Sequence, residues 1–388
     1  MSEELVYLDH AATTPVRPEV LDAMLPYFSE KFGNPSSLYT LAQEARDGMA
    51  EARERVAAVL NCRTSEVVFT GNGTESNNTA IKGVTSALRD RGRHVITSAI
   101  EHHSVLHPME QLEREGFEVT VLPVDSTGRV APTDVAAAVR KDTVLVSIIM
   151  ANNEVGTVQD IAQISRLARE SSQKLGGEIV VHTDAAQAAG KLPLDTREMG
   201  VDLLSLTAHK FYAPKGAGVL YVKRGTQLEP LLSGGGQERQ RRSGTENVPY
   251  IVGMAVGLEL AEAERDDFVA RTGRLRDMAE AGILGRLPDT KINGDREHRV
   301  SNITNLSFPG VQGEPILLGL DFKAIAASSG SACSSASLEP SHVLTAMGLS
   351  PELAVGSVRI SLGRLTTERE VSSIVTAIPE IVERLRAM

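Results

Sequence analysis

The sequence predicts an α/β fold built on a mainly parallel sheet, and three observations predict it. Continuous Val/Ile/Leu runs recur along residues 67–222, helical patterns separate them, and polar residues follow run after run. Continuous apolar runs mark strands covered on both faces, which parallel sheets require. Polar residues just after such strands gather at one edge, because parallel strands end on the same side.

Strands are expected at 66–70, 94–99, 119–123, 143–150, 179–183, 201–206 and 218–222. Between them, 75–90, 104–115, 133–141 and 162–175 read as helices, with Thr133 and Asp134 placed to start the third. A second region begins near Gly253 with one long helical stretch over 256–280, adds strands at 301–307 and 358–361, and closes with a helix over 368–388. Segments 233–242 and 327–337, rich in Gly or Ser, read as loops. The chain has 388 residues, long for a single core, so a large domain and a smaller companion are expected.

Composition narrows the function. No apolar run is long enough to cross a bilayer, so no membrane partner is expected. The stretch from Met1 to Asp9 is short and acidic, without the marks of a secretory or transit peptide, and a cytoplasmic location is expected. A net charge of -10 and the absence of Trp argue against direct nucleic-acid binding, although Arg239, Arg241 and Arg242 form one local basic cluster whose plainer reading is a solvated loop. Two cysteines, Cys62 and Cys333, make neither a disulfide framework nor a CxxC pair.

Five polar clusters follow five strands: Gly71-Asn72-Gly73-Thr74, Glu101-His102-His103, Asn152-Asn153-Glu154, His182-Thr183-Asp184 and Thr207-Ala208-His209-Lys210. Strand ends are polar by default, but five in succession point to a small-molecule site. The loop over 70–78 joins two glycines and the Thr74 hydroxyl to a helix start, which suits a phosphate; a Gly-containing turn with Thr as helix cap is its plainer reading. It is neither GxGxxG nor GxxxxGK[ST]. A phosphate loop, the strand-end carboxylate of Asp184 and the strand-end amine of Lys210 suit a phosphate-bearing cofactor, of which pyridoxal 5'-phosphate is one option. His103 and His107 have i, i+4 spacing, but no HExxH accompanies them and no metal is expected. Cys62 follows an apolar run and reads as a buried small hydrophobe, whereas Cys333 lies among Ser, Gly and Ala. A free thiol has a pKa of about 8.5, so a nucleophilic Cys333 needs local help.

Further motifs run the length of the chain: Tyr7-Leu-Asp-His-Ala-Ala-Thr-Thr-Pro15, Phe32-Gly-Asn-Pro-Ser-Ser37, Gly234-Gly-Gly-Gln-Glu238, Arg242-Ser-Gly-Thr-Glu-Asn247 and Ser357-Val-Arg-Ile-Ser-Leu-Gly-Arg364. With these and the strand-end clusters, the chain resembles the cysteine desulfurases of the NifS/IscS type, in the class V aminotransferase superfamily of fold type I. The resemblance implies a large pyridoxal-phosphate-binding domain over 14–255. A smaller α+β domain, formed by 1–13 and 256–388, would carry the sulfur-acceptor loop.

By the same resemblance, Lys210 looks like the cofactor lysine and Asp184 like the partner of the pyridine nitrogen. His102 is similar to the imidazole stacked on the ring and active in proton transfer. Asn153 and Gln187 resemble contacts on the ring hydroxyl side. Gly73, Thr74, Thr207 and His209 resemble phosphate contacts, and Thr245 a phosphate contact made from the opposite subunit of a homodimer. Arg359, helped by Asn34, looks like the binder of the substrate carboxylate, and Cys333 like the sulfur acceptor.

The implied reaction converts L-cysteine to L-alanine, with sulfur held on Cys333 as a persulfide and passed to an acceptor protein. An iron–sulfur scaffold and a tRNA-thiolation enzyme are both candidate acceptors. The alternatives on the same frame are selenocysteine lysis and transamination; a transaminase has no need of Cys333. A catalytically idle scaffold is disfavoured by the intact set Lys210, Asp184, Arg359 and Cys333.

Three positions depart from the family pattern. Gly71-Asn72 stands where Ser-Gly is common, Thr207 where Ser is usual, and Ala213 where Gly is usual in Tyr-Gly-Pro-Lys-Gly. Gly73, Thr74 and the Thr207 hydroxyl remain, so cofactor binding is expected to persist. Several family members continue into a tail that docks an iron–sulfur scaffold; this sequence stops at Arg386-Ala387-Met388, which leaves the acceptor open.

Overall fold

The structure, a computed structural model, describes residues 5–330 and 340–388. Its centre is a seven-stranded sheet made of β1 (Val67–Thr70), β2 (His94–Ser98), β3 (Glu118–Leu122), β4 (Thr143–Ser147), β5 (Val180–Asp184), β6 (Leu203–Thr207) and β7 (Gly218–Val222). The spatial order is β1-β7-β6-β5-β4-β2-β3. Every pairing is parallel except the two made by β7, which runs against both β1 and β6. Six strands therefore end at the same edge.

The continuous apolar runs have the expected cause. Side chains alternate across a strand, and both faces of this sheet are covered. Val67, Phe69, Leu204 and Leu206 enter one core, while Val68, Leu203 and Leu220 enter the core on the other side. Helix α1 (Thr40–Val59) contributes Ala45, Met49, Ala52 and Val56 to the first core. Helices α2 (Gly73–Ala87) and α3 (His103–Arg114) supply Ile81, Val84, Val105 and Met109 to the second.

Several boundaries differ from the expectation. Helix α2 starts at Gly73, because Asn72 is its cap and takes the Glu75 N–H at 2.9 Å. Thr74 lies inside the first turn and is not the cap, and the departure at Gly71-Asn72 is a capping residue. The strand expected over 143–150 ends at Ser147, after which the chain turns into the site. The single helix expected over 256–280 is two helices, α4 (Val248–Ala263) and α5 (Arg265–Arg286), joined at Glu264.

A second layer lies around a three-stranded antiparallel sheet of β8 (Lys291–Asn293), β9 (Ile303–Ser307) and β10 (Ser357–Ser361), with β9 in the middle. Its core joins Leu306, Val358 and Ile360 to Leu275 and Ile283 of α5 and to Ile374 and Ile378 of α6 (Glu368–Arg386). Leu8, from the N-terminal segment, belongs to this core, and Val6–Tyr7 pairs in parallel with Ile325–Ala326. Helix α4 runs through residues 255 and 256 without a break, and its Leu258 packs in the first core of the large sheet. Among the described residues no helix is long and apolar enough to cross a membrane.

Candidate active site

The convergent strand ends of the large sheet wall a cavity of about 320 Å³, closed on its other side by residues of the second layer. Gly73 and Thr74 line it from the start of α2, His102 from the start of α3, and Asn153 from the segment after β4. Asp184 and Gln187 enter from the end of β5, Thr207, His209 and Lys210 from the end of β6, and Arg359 from β10. Ten residues expected from the sequence thus share one cavity.

Lys210 stands on a short 3₁₀ turn (Ala208–Lys210) directly after β6. Its Nζ donates to the carbonyls of Ala11 at 2.6 Å and Ala12 at 2.7 Å, so the N-terminal motif runs beneath the amine. Asp184 ends β5 and is buried. Its Oδ1 accepts from the Ala186 N–H at 2.9 Å and its Oδ2 from Asn77 Nδ2 at 2.7 Å.

The same Asn77 Nδ2 donates to Ser104 Oγ at 2.8 Å, and Ser104 Oγ lies 2.8 Å from His102 Nδ1. His102 caps α3 by accepting the Ser104 N–H on Nδ1 at 3.0 Å. Nδ1 is therefore an acceptor, and the neutral ring carries its proton on Nε2. Burial first, then the Lys210 charge, push the imidazole below its ordinary pKa, against the pull of Asp184.

At the phosphate-like end, Asn72 occupies the N–H groups of Glu75 and Ser76. Gly73 and Thr74 hold the amides of the first turn that have no intrahelical acceptor. A Cβ on Gly73 would lie 3.1 Å from Thr207 Cβ, so a side chain there would press into the wall. Thr207 Oγ1 is buried and has no hydrogen-bond partner among the described residues. His209 Nδ1 lies 3.2 Å from Thr13 Oγ1, and burial with the neighbouring Lys210 and Lys215 lowers its pKa to about 4.

Arg359 is almost fully buried on β10. Its Nη2 donates to Asp9 Oδ1 at 2.6 Å and its Nη1 to the Asn153 carbonyl at 2.8 Å.

Asn34 and Thr245 do not line this cavity. Asn34 is exposed on the loop before α1, where its Oδ1 takes the Ser36 N–H. Thr245 lines a separate groove with Arg242 and Glu246. Cys333 lies outside the described residues; Gly330, three positions before it, lines the cavity and accepts from Arg359 Nη1 at 3.3 Å. Cys62 is half-buried against the large core, and burial followed by Glu66 raises its thiol to about 12. Ala213, the third departure, is fully buried.

The class-V aminotransferase family model matches residues 6–374. The chain belongs to the class-V aminotransferase family. Among relatives in this family, the cysteine desulfurase IscS of Methanosarcina thermophila is 50% identical over 383 residues, covering 99% of this chain and 93% of the relative. The cysteine desulfurase IscS of Dictyoglomus turgidum is 49% identical over 383 residues, covering 99% and 96%. A solved NifS-like protein superposes with a TM-score of 0.92 at 39% identity, covering 98% of this chain and all of that one. SspA, solved in complex with cysteine, gives a TM-score of 0.81 at 39% identity, covering 92% and 98%.

Membership in the class-V aminotransferase family implies pyridoxal 5'-phosphate, and the cavity fits that group. An unpartnered buried hydroxyl at Thr207 and the first-turn amides of Gly73 and Thr74 suit a phosphate. An oriented, buried carboxylate at Asp184 suits a protonated ring nitrogen, and Lys210 supplies the amine.

Four participants were not singled out in the sequence. Asn77 lies one helical turn beyond Gly73, so its place on the cavity face of α2 was legible from i, i+4 spacing. Ser104 follows His102 by two positions. Asp9 sits inside the Tyr7 motif, but its partner is 350 residues away. His342 lines the cavity and lies against His103 with ring centroids 4.7 Å apart and the rings tilted by 48°.

Proposed function

We propose that this chain is a pyridoxal-phosphate-dependent cysteine desulfurase that converts L-cysteine to L-alanine and receives the sulfur on Cys333 as a persulfide. The observation that carries this reading is the meeting of Lys210, Asp184 and Arg359 in one cavity of a chain 50% identical to a cysteine desulfurase along nearly its whole length.

When bound, pyridoxal phosphate supplies a sink for the electron pair left on Cα when its proton is removed. The roles below belong to this chain's own side chains. Asp184, oriented by Asn77 and the Ala186 N–H, would be the partner of the ring nitrogen. Gly73, Thr74, Thr207 and His209 would hold the phosphate, and Gln187 and Asn153 would meet the ring hydroxyl. Arg359 holds the substrate carboxylate with a planar guanidinium already fixed by Asp9. Lys210 Nζ takes the Cα proton, and His102, with its proton on Nε2, serves proton transfer at the ring face.

In the sulfur step the Cys333 thiolate attacks the substrate sulfur. The S–S bond forms as the C–S bond breaks, the electron pair goes to the substrate carbon, and a proton on that carbon together with the return of a proton from Lys210 to Cα completes alanine. The persulfide then passes to an acceptor protein, for which an iron–sulfur scaffold and a thiolation enzyme share the same chemistry. Thr245, standing in a groove apart from this chain's own cavity, supports the reading that it serves the cavity of a second copy in a homodimer. Asn34 is assigned to the substrate carboxylate on resemblance alone.

Mass spectrometry after treatment with L-cysteine tests the proposal. The peptide containing Cys333 should gain one sulfur, and Cys333→Ser should bind cofactor yet release almost no sulfide under reductant. Lys210→Ala should lose the yellow colour of the bound cofactor. An unmodified Cys333 beside full sulfide release would overturn the persulfide step.

A further inference from the structure

Behind the cavity lies a second lysine that the reaction above does not use. Lys191 follows Gly190, which turns the chain in the left-handed region at φ +67°. A Cβ on Gly190 would lie 2.9 Å from Ala261 Cβ, so only glycine lets α4 close over this turn. The turn leaves the Lys191 side chain buried, with no carboxylate paired to it among the described residues.

Its partners are two oxygens of one residue. Nζ donates to the Gln187 carbonyl at 3.1 Å and to Gln187 Oε1 at 3.4 Å. Because Oε1 faces Lys191, the Gln187 amide nitrogen faces the other way, and it donates to the Ala11 carbonyl at 2.9 Å. That carbonyl also receives Lys210 Nζ. A chain of contacts thus runs from Lys191 through Gln187 and Ala11 to the cofactor lysine.

We propose that Lys191 is a positioning residue for Lys210: it fixes the Gln187 amide, through it the Ala11 carbonyl under the amine, and places a like charge beside that amine. The inference rests on the reading of Lys210 as the cofactor lysine. Burying an ammonium without a counter-ion is unfavourable, and a purely structural site would be better filled by an apolar side chain. The retained charge acts on its neighbour, because a nearby cation disfavours the protonated form of Lys210. The effect is mutual: burial first, then Lys210, push Lys191 down to about 7, so its charge acts on Lys210 at and below neutral pH and its N–H donors alone act above it. The other charged and titratable groups around the small cavity shared by the two lysines are His10, Arg17, Glu264, Tyr212 and Arg364. Arg17 and Glu264 neutralise each other at 2.9 and 3.0 Å, and His10 is held neutral by burial, its pKa lowered to about 4.

The test is a pH titration of the visible absorbance of the cofactor-bound enzyme, with the melting temperature measured beside it. Lys191→Met should raise the titration midpoint by about half a pH unit or more, lower kcat with KM for cysteine little changed, and leave the melting temperature equal or higher. Lys191→Gln keeps an N–H donor without the charge, so it should share the raised midpoint but recover kcat. A Lys210-dependent band whose midpoint is unmoved in Lys191→Met, or in Lys191→Gln should the first variant not fold, overturns the role of Lys191. Absence of any Lys210-dependent band in the unaltered enzyme overturns the cofactor reading and this inference with it.

Discussion

Asn77 donates its side-chain amide to Asp184 at 2.7 Å, and this contact joins the two walls of the cavity. The same nitrogen reaches Ser104 Oγ, which stands against His102 Nδ1, so one amide orients both the carboxylate and the imidazole. Asn77→Ala removes a buried hydrogen bond to a charged group, a loss of about 1.5–3 kcal/mol. The expected result is weaker cofactor retention and a kcat roughly ten- to a hundredfold lower at cofactor saturation. Steady-state sulfide release together with a cofactor titration checks it; unchanged values for both would remove Asn77 from the site.

Gly73→Ala separates cofactor binding from folding. The added methyl meets Thr207 at the phosphate end, while alanine is the better helix former. Cofactor affinity should fall about tenfold, and the melting temperature of the cofactor-free protein should not fall. A variant that binds cofactor normally would move the phosphate away from this loop.

Asp9→Asn should act on substrate binding. Asp9 Oδ1 is the charged partner of the buried Arg359 guanidinium. Losing that charge costs about 2 kcal/mol of stability and leaves the guanidinium less firmly aimed, so KM for cysteine should rise more than kcat falls. Denaturant unfolding and initial-rate kinetics read the two effects; an unchanged KM would free Arg359 from dependence on Asp9.

Stability should decline on the acid side of neutrality. His182 is fully buried between Ser147 Oγ at 2.8 Å and Ser205 Oγ at 2.9 Å, and burial lowers its pKa to about 4. In the unfolded chain its pKa is about 6.5. Its contribution is therefore present above about 6.5 and lost as pH falls from there towards 4, at up to about 1.4 kcal/mol per pH unit. His10 and His209, with their pKa values also lowered to about 4, lose in the same direction. Glu101 opposes them: burial raises its carboxyl to about 8, so its contribution is lost as pH rises towards 8. Three histidines against Glu101 leave the protein less stable at pH 5 than at pH 7. Urea unfolding at both values checks this, and His182→Gln should narrow the difference.

The fold and most of the cavity were legible because both depend on local pattern. Strands buried on two faces announce themselves as runs such as 67–70, and parallel strands deliver their polar ends to one edge. Helix α1 was not among the expected helices for a physical reason: its buried stripe is largely Ala and Gly, which carry little hydropathy contrast. The split at Glu264 was not visible because no Gly or Pro marks it and both flanking segments favour helix. Lys210 and Asp184 could be placed at strand ends from the sequence, whereas the contacts that orient the site could not. Asp9 with Arg359 and Lys191 with Gln187 depend on which buried polar groups remain to be satisfied after the chain has closed on itself.

The reversed strand β7 has a mechanical consequence for Lys210. Strands β6 and β7 are neighbours in the sheet, and Thr207 pairs with Gly218 across the antiparallel ladder. The segment carrying Lys210 is thus a short tether clamped at both feet, with the Ala208 N–H held by the Ala217 carbonyl at 3.1 Å. A lysine on such a tether reaches and withdraws by rotating its own four-carbon arm while the backbone stays still. Amide exchange at Ala208 should accordingly be slow and insensitive to the addition of cysteine, as a fixed pivot beneath the Lys210 arm requires.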